Sequence, residues 1–154
     1  MLCYDIRELE REAVRVEGDL PASDPVWMND DVLPDQAVHA TGRLSKAGAG
    51  RFYWSGHIEG TATVPCRRCL ADASARVSED VHLLFVETGD EVADDPDTFR
   101  LEPRAREIDL RPAVREQWLL AVPGFAVCRG VQGTVPAMRQ RSQCGAVRLS
   151  SRDR

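Results

Sequence analysis

The chain has 154 residues, 43% of them apolar, and a formal net charge of -5. That is enough for one domain with a hydrophobic core and too little for two ordinary ones. No basic stretch leads into an apolar leader, and no apolar run approaches the roughly 20 residues that span a bilayer, so we expect a soluble, cytoplasmic protein without a membrane role.

The charge is unevenly spread. Residues 129–154 carry six arginines against one acid, which leaves 14 bases and 24 acids before them. The acidic body would repel a phosphate backbone at long range, so any nucleic-acid contact must be local or made through a protein. Five cysteines are an odd number, and Cys66 and Cys69 stand too close in sequence to staple distant parts of a secreted fold. Reduced thiols or metal ligands fit them better than disulfides.

Along the chain, alternation over Tyr4-Asp5-Ile6-Arg7 and Ala13-Val14-Arg15-Val16-Glu17 predicts two short strands, broken from Leu20-Pro21 to Pro25. Glutamates among arginines at helical spacing make a helical turn over Leu9–Arg15 the alternative. From Ala37 the alternation of Val38, Ala40, Gly42 and Leu44 with polar neighbours, then Ala47-Gly48-Ala49-Gly50, predicts a hairpin. Its return strand, Arg51 to Val64, is rich in β-formers, and Gly56 and Gly60 mark bulges or close approaches. Ala73 to Glu87 reads as one strand, or two joined by a bend.

Residues 88–98 are acidic and rich in breakers, so they read as a solvated loop; the acid spacing and central glycine of a calcium loop are absent. Phe99 to Leu101 and Ile108 predict short extended pieces. Asp109 offers a helix cap, Pro112 suits a first turn, and Val114, Trp118 and Val122 recur at helical spacing until Pro123-Gly124. The expected fold is α+β, a mainly antiparallel β-sheet with one packed C-terminal helix and a disordered basic tail. Residues 1–128 would form the domain and 129–154 the tail.

Cys66-x-x-Cys69 is the most specific local feature. Two thiolates at that spacing can close on one tetrahedral zinc, but they supply half a site, and two unligated cysteines in a turn are an equal reading. A redox dithiol needs a helix N-terminus after a βαβ strand, whereas Pro65 precedes this pair and a strand follows. Arg67 and Arg68 would face outward, able to contact phosphate or a partner, with ordinary solvated charge as the plainer account. His39, His57 and His82 fall on predicted strands with no cysteine at metal spacing. In Phe52-Tyr53-Trp54, only Phe52 and Trp54 share a face, and core packing suits them better than base stacking. No nucleophile motif or phosphate loop is present, so we expect no enzyme and no small-molecule substrate.

Val64-Pro65-Cys66-Arg67-Arg68-Cys69-Leu70, an acidic loop, then Ile108-Asp109-Leu110-Arg111-Pro112-Ala113-Val114-Arg115-Glu116-Gln117-Trp118-Leu119-Leu120-Ala121-Val122-Pro123 and Cys128, together resemble the YceD family of large ribosomal RNA subunit accumulation proteins. The resemblance spans most of residues 10–128. It implies a non-catalytic ribosome biogenesis factor that supports large-subunit (23S) ribosomal RNA synthesis, processing or stability. The partner would be ribosomal RNA or a pre-ribosomal particle, bound directly or through a protein, with a small zinc-stabilised interaction module as the alternative.

After Cys128 the chain departs from the family pattern C-x-G-L-C-x-x-C-G-x-D-L-N. Read one base later, the codons permitted from Val131 to Gln143 allow C-R-G-L-C-P-R-C-G-(S or N)-D-L-N, and Met138 before a CGN codon for Arg139 yields cysteine without choice. We therefore expect a frameshift near Arg129-Gly130, with Cys144 a coincidence. Cys66, Cys69 and Cys128 would then be the survivors of a metal site left incomplete, and zinc here weak or absent.

Overall fold

The computed structural model describes residues 2–91 and 93–128. The expectations of a disordered tail and of a frameshift fall on residues 129–154, outside the described residues.

In chain order the elements are β1 (Cys3–Asp5), α1 (Ile6–Leu9), β2 (Val14–Pro21), β3 (Ala37–Gly48), β4 (Arg51–Pro65), β5 (Asp72–Glu87), β6 (Thr98–Leu101), β7 (Glu107–Asp109) and α2 (Arg111–Ala121). Strands β2 to β6 form a five-stranded sheet in sequential order, and β1 pairs with β7 in a separate two-stranded ribbon. Among the described residues all pairings between named strands are antiparallel except β5 with β6, which run parallel. Strands followed by one packed helix give the expected α+β arrangement. Among the described residues no helix is long and apolar enough to cross a membrane.

The N-terminal reading needs correction. The first strand ends at Asp5, and the helical turn comes at Ile6–Leu9, earlier than Leu9–Arg15, because the Asp5 carboxylate accepts the Arg7 N–H and starts it. The second strand runs through Leu20-Pro21 instead of breaking there. Leu20 is buried on the core face, and proline is tolerated because β2 lies at the sheet edge. Ala73–Glu87 proves to be a single strand, with one added residue at its start.

Alternation makes one face of the sheet the core. Phe52, Trp54 and Ile58 of β4 are buried beside Val81, Leu83 and Phe85 of β5, while Tyr53 between them is exposed. The β3 and β4 backbones approach closely where Gly42 meets Gly56: a Cβ on Gly42 would stand 2.4 Å from the Gly56 Cα. A Cβ on Gly56 would stand 2.6 Å from Trp54 Nε1, so the indole folds over a position that has to be bare, and that Nε1 has no hydrogen-bond partner among the described residues.

Helix α2 lays Ala113, Val114 and Trp118 into the core. Leu110 is the N-cap and makes no side-chain cap bond; Asp109, expected in that role, stands one residue earlier and accepts the Arg111 N–H at 3.0 Å. The register differs because Asp109 is still held in β7 opposite Cys3. The long β2–β3 connection is tied to the helix by the Arg115 guanidinium, which donates to both Asp31 oxygens at 2.6 and 2.9 Å, and by Trp118 Nε1, which donates to the Val32 carbonyl at 2.7 Å.

Candidate metal centre

Strands β4 and β5 pair continuously from Arg51 opposite Val86 to Pro65 opposite Asp72, so Cys66 to Ala71 becomes the tip of a long hairpin. The Cys66 N–H donates to the Ala71 carbonyl at 2.7 Å, and the Leu70 N–H donates back to the Cys66 carbonyl at 2.9 Å. Closing so tight a turn puts Leu70 at φ 60, a left-handed conformation that ordinarily falls to glycine. Arg67 and Arg68 are exposed at the tip, and neither makes an ion pair among the described residues.

The turn wraps backbone N–H groups around the first sulfur. The Arg68 N–H donates to Cys66 Sγ at 3.5 Å. The N–H groups of Cys69 and Arg68 bring the Cys66 thiol down to about 7, against burial, which works the other way. The chemistry is that of a sulfur prepared to be a thiolate.

A third cysteine arrives from the far end of the domain. After α2 stops at Ala121, the chain returns to the hairpin tip: the Ala126 N–H donates to the Pro65 carbonyl at 3.0 Å, and the Arg67 N–H to the Ala126 carbonyl at 2.8 Å. This parallel bridge fixes Cys128 two residues later, with its Sγ 3.1 Å from Cys66 Sγ and 3.6 Å from Cys69 Sγ. Cys128 is disulfide-bonded in this structure, so its sulfur can serve as a thiolate ligand only once that bond is reduced. All three sulfurs lie within 4.8 Å of one another, and among the described residues no other group of Cys, His, Asp and Glu donors converges in this way.

Thiolates bound ~2.3 Å from a tetrahedral zinc stand about 3.8 Å apart. The Cys69–Cys128 distance is close to that edge, and the Cys66–Cys128 distance needs a small opening. With Cys128 reduced, the donor set fits three corners of a soft-metal site, with Cys66 and Cys128 buried and Cys69 half-buried.

The other sequence candidates do not join it. His39, His57 and His82 stand on the exposed face of the sheet, where His39 pairs with Asp19 at 2.6 Å, His57 with Asp80 at 2.7 Å and His82 with the Tyr53 hydroxyl at 2.9 Å. The helix N-terminus that a redox dithiol needs is not at the cysteines, which sit in a strand-to-strand turn. Unforeseen in the sequence are Leu70, Phe125 and Val127, exposed apolar side chains that with Arg67 line a groove beside the sulfurs. Their only signal is negative: each lies outside any helical or strand period.

The profile of the YceD family, described as large ribosomal RNA subunit accumulation protein YceD, matches residues 54–151, more than half of the chain. The chain belongs to the YceD family. The match takes in β4 from Trp54 onward, the hairpin tip with Cys66 and Cys69, helix α2 and Cys128, so the convergence of sulfurs lies wholly within the matched region. No curated protein and no solved structure matches the chain. YceD membership ties the chain to accumulation of large-subunit ribosomal RNA.

Proposed function

We propose that this chain supports synthesis, processing or stability of 23S ribosomal RNA in the cytoplasm by binding, without catalysis. The observation that carries this reading is the YceD match across residues 54–151. In this reading the hairpin tip is the working surface. Cys66, Cys69 and Cys128 hold a zinc ion weakly, stiffening the tip, and Arg67 and Arg68 present positive charge to ribosomal RNA or to a pre-ribosomal particle.

What supports a local contact is the charge pattern. Before residue 129 the chain has 14 bases and 24 acids, and Arg67 and Arg68 lie exposed side by side where both can meet a negative partner. The test is deletion of the gene followed by complementation with the intact chain or with Arg67→Glu/Arg68→Glu. A fall in 23S relative to small-subunit RNA, restored by the intact chain and not by the variant, is the expected result. Unchanged RNA levels after deletion would refute the reading.

The second reading, a zinc-stabilised protein-interaction module without an RNA role, is favoured by the exposed apolar groove at the same tip. It predicts no association with large-subunit particles even at low salt, where a phosphate contact is strongest.

A further inference from the structure

We infer that the groove beside the three cysteines is a docking site for a protein segment that presents one large apolar side chain flanked by Asp or Glu. This deepens the reading of the hairpin tip as a binding surface and names the chemistry of its partner.

Isolated exposed apolar residues are ordinary on a protein surface. Here three of them share one place: Leu70 is 72% exposed, Phe125 57% and Val127 50%, and with Arg67 they line a single groove of about 490 Å³. They come from two segments far apart in sequence, brought together by the Ala126 bridge to Pro65 and Arg67. The backbone beneath them is fixed. Leu70 is held at φ 60 by the hydrogen bonds that close the turn, and Val127 lies between Ala126, pinned by two backbone bonds, and Cys128, held by its sulfur contacts. A preformed apolar groove loses little entropy when it is filled, which favours tight seating of a complementary side chain.

Charge chooses the flanks of the occupant. Arg67 stands on the groove and Arg68 follows it, both exposed, and neither has an ion-pair partner among the described residues. A segment with one or two acids beside its apolar anchor would meet these arginines at once.

Single-stranded RNA fits less well. Stacking platforms for bases use successive aromatic rings along a basic track, whereas this groove offers one ring and two aliphatic side chains. A nucleic-acid backbone leaving the groove would also run over a body with ten more acids than bases, 24 against 14. A short peptide crosses much less of that surface.

The experiment is selection of random displayed peptides on the full chain in reducing buffer, followed by anisotropy titration of the best binder. The expected result is enrichment of peptides with a large apolar residue within three positions of an acid. Leu70→Asp and Phe125→Ser should each weaken binding by about tenfold or more. Arg67→Glu/Arg68→Glu should weaken it too, and exchanging the peptide acids for lysine should restore binding to that variant, a rescue that a misfolded protein could not give. No enrichment, peptides without acids, or affinity untouched by these variants would overturn the inference. So would displacement of the peptide by a 12-nucleotide uridine-rich RNA whose own binding falls with Phe125→Ser. Sedimentation of the intact chain with large-subunit particles, run in parallel, separates this inference from the ribosomal reading. Peptide binding without particle association sinks the ribosomal reading alone, and the reverse sinks the groove alone.

Discussion

The indole of Trp118 in α2 packs against Gly60 in β4, so close that a Cβ at residue 60 would stand 2.9 Å from its Cζ3. The same ring is fully buried and donates its Nε1 hydrogen to the Val32 carbonyl. Gly60→Ala should therefore destabilise by roughly 1–3 kcal/mol through overpacking, and Trp118→Ala by roughly 3–5 kcal/mol through the cavity it leaves. The two should not add: in a Trp118→Leu background the alanine at residue 60 should cost visibly less. Urea unfolding of the four chains measures this, and strict additivity would argue against the contact.

Acid should loosen the tie between the β2–β3 connection and α2. The Arg115 guanidinium, donating to both oxygens of Asp31, holds that carboxyl below its ordinary 3.8. A depressed folded value means the contribution is fully present above the ordinary value and is lost as pH falls through the folded one, so the loss belongs below about pH 4. Thermal midpoints recorded from pH 5 down to pH 2 should fall further for the intact chain than for Asp31→Asn. Parallel profiles would count against this pair as a source of acid sensitivity.

Metal should follow the three sulfurs and ignore the fourth described cysteine. Cys66→Ser, Cys69→Ser and Cys128→Ser should each abolish the thiolate-to-metal absorption of a cobalt-substituted, reduced chain, while Cys3→Ser, beside Asp109 in the β1–β7 ribbon, leaves it intact. A chelator should lower the unfolding midpoint of the intact chain and leave that of Cys66→Ser unchanged. Equal cobalt spectra from all four variants would remove the site.

If Arg67 and Arg68 touch phosphate, their replacement by glutamate should weaken association with large-subunit particles and flatten its dependence on salt. The slope of log affinity against log salt should drop by about one to two. Because both side chains are exposed, the unfolding midpoint should stay put. A changed midpoint with an unchanged slope would assign the arginines a structural role instead.

Much of the sheet was legible because its signals are local. The alternation of Phe52, Tyr53 and Trp54 separated core from solvent correctly, the glycine-rich turn after Lys46 placed the β3–β4 hairpin, and the Val114–Trp118 spacing found α2. The parallel pairing of β6 with β5 was not legible: the ten-residue acidic loop before it says nothing of the direction in which the chain returns. The Asp109 cap was misplaced by one residue because strand pairing with Cys3 outweighs a capping preference. At the metal centre, spacing alone joined Cys66 to Cys69. Cys128 entered through family resemblance, since a contact across 62 residues leaves no periodic trace. The groove left none either, as exposed apolar side chains in turns follow no repeat.

The Ala126 bridge decides when, during folding, the third sulfur becomes available. A β4–β5 hairpin can form early and present Cys66 and Cys69, a bidentate pair that any passing soft metal could take or lose. Cys128 lies beyond β6, β7 and α2 in the chain, and its contact with Cys66 is expected late because contacts of long sequence separation pay their chain entropy first. Newly made chain and finished protein thus differ in the number of cysteine sulfurs gathered at one place, and in the reduced chain metal retention would report that the last segment has closed.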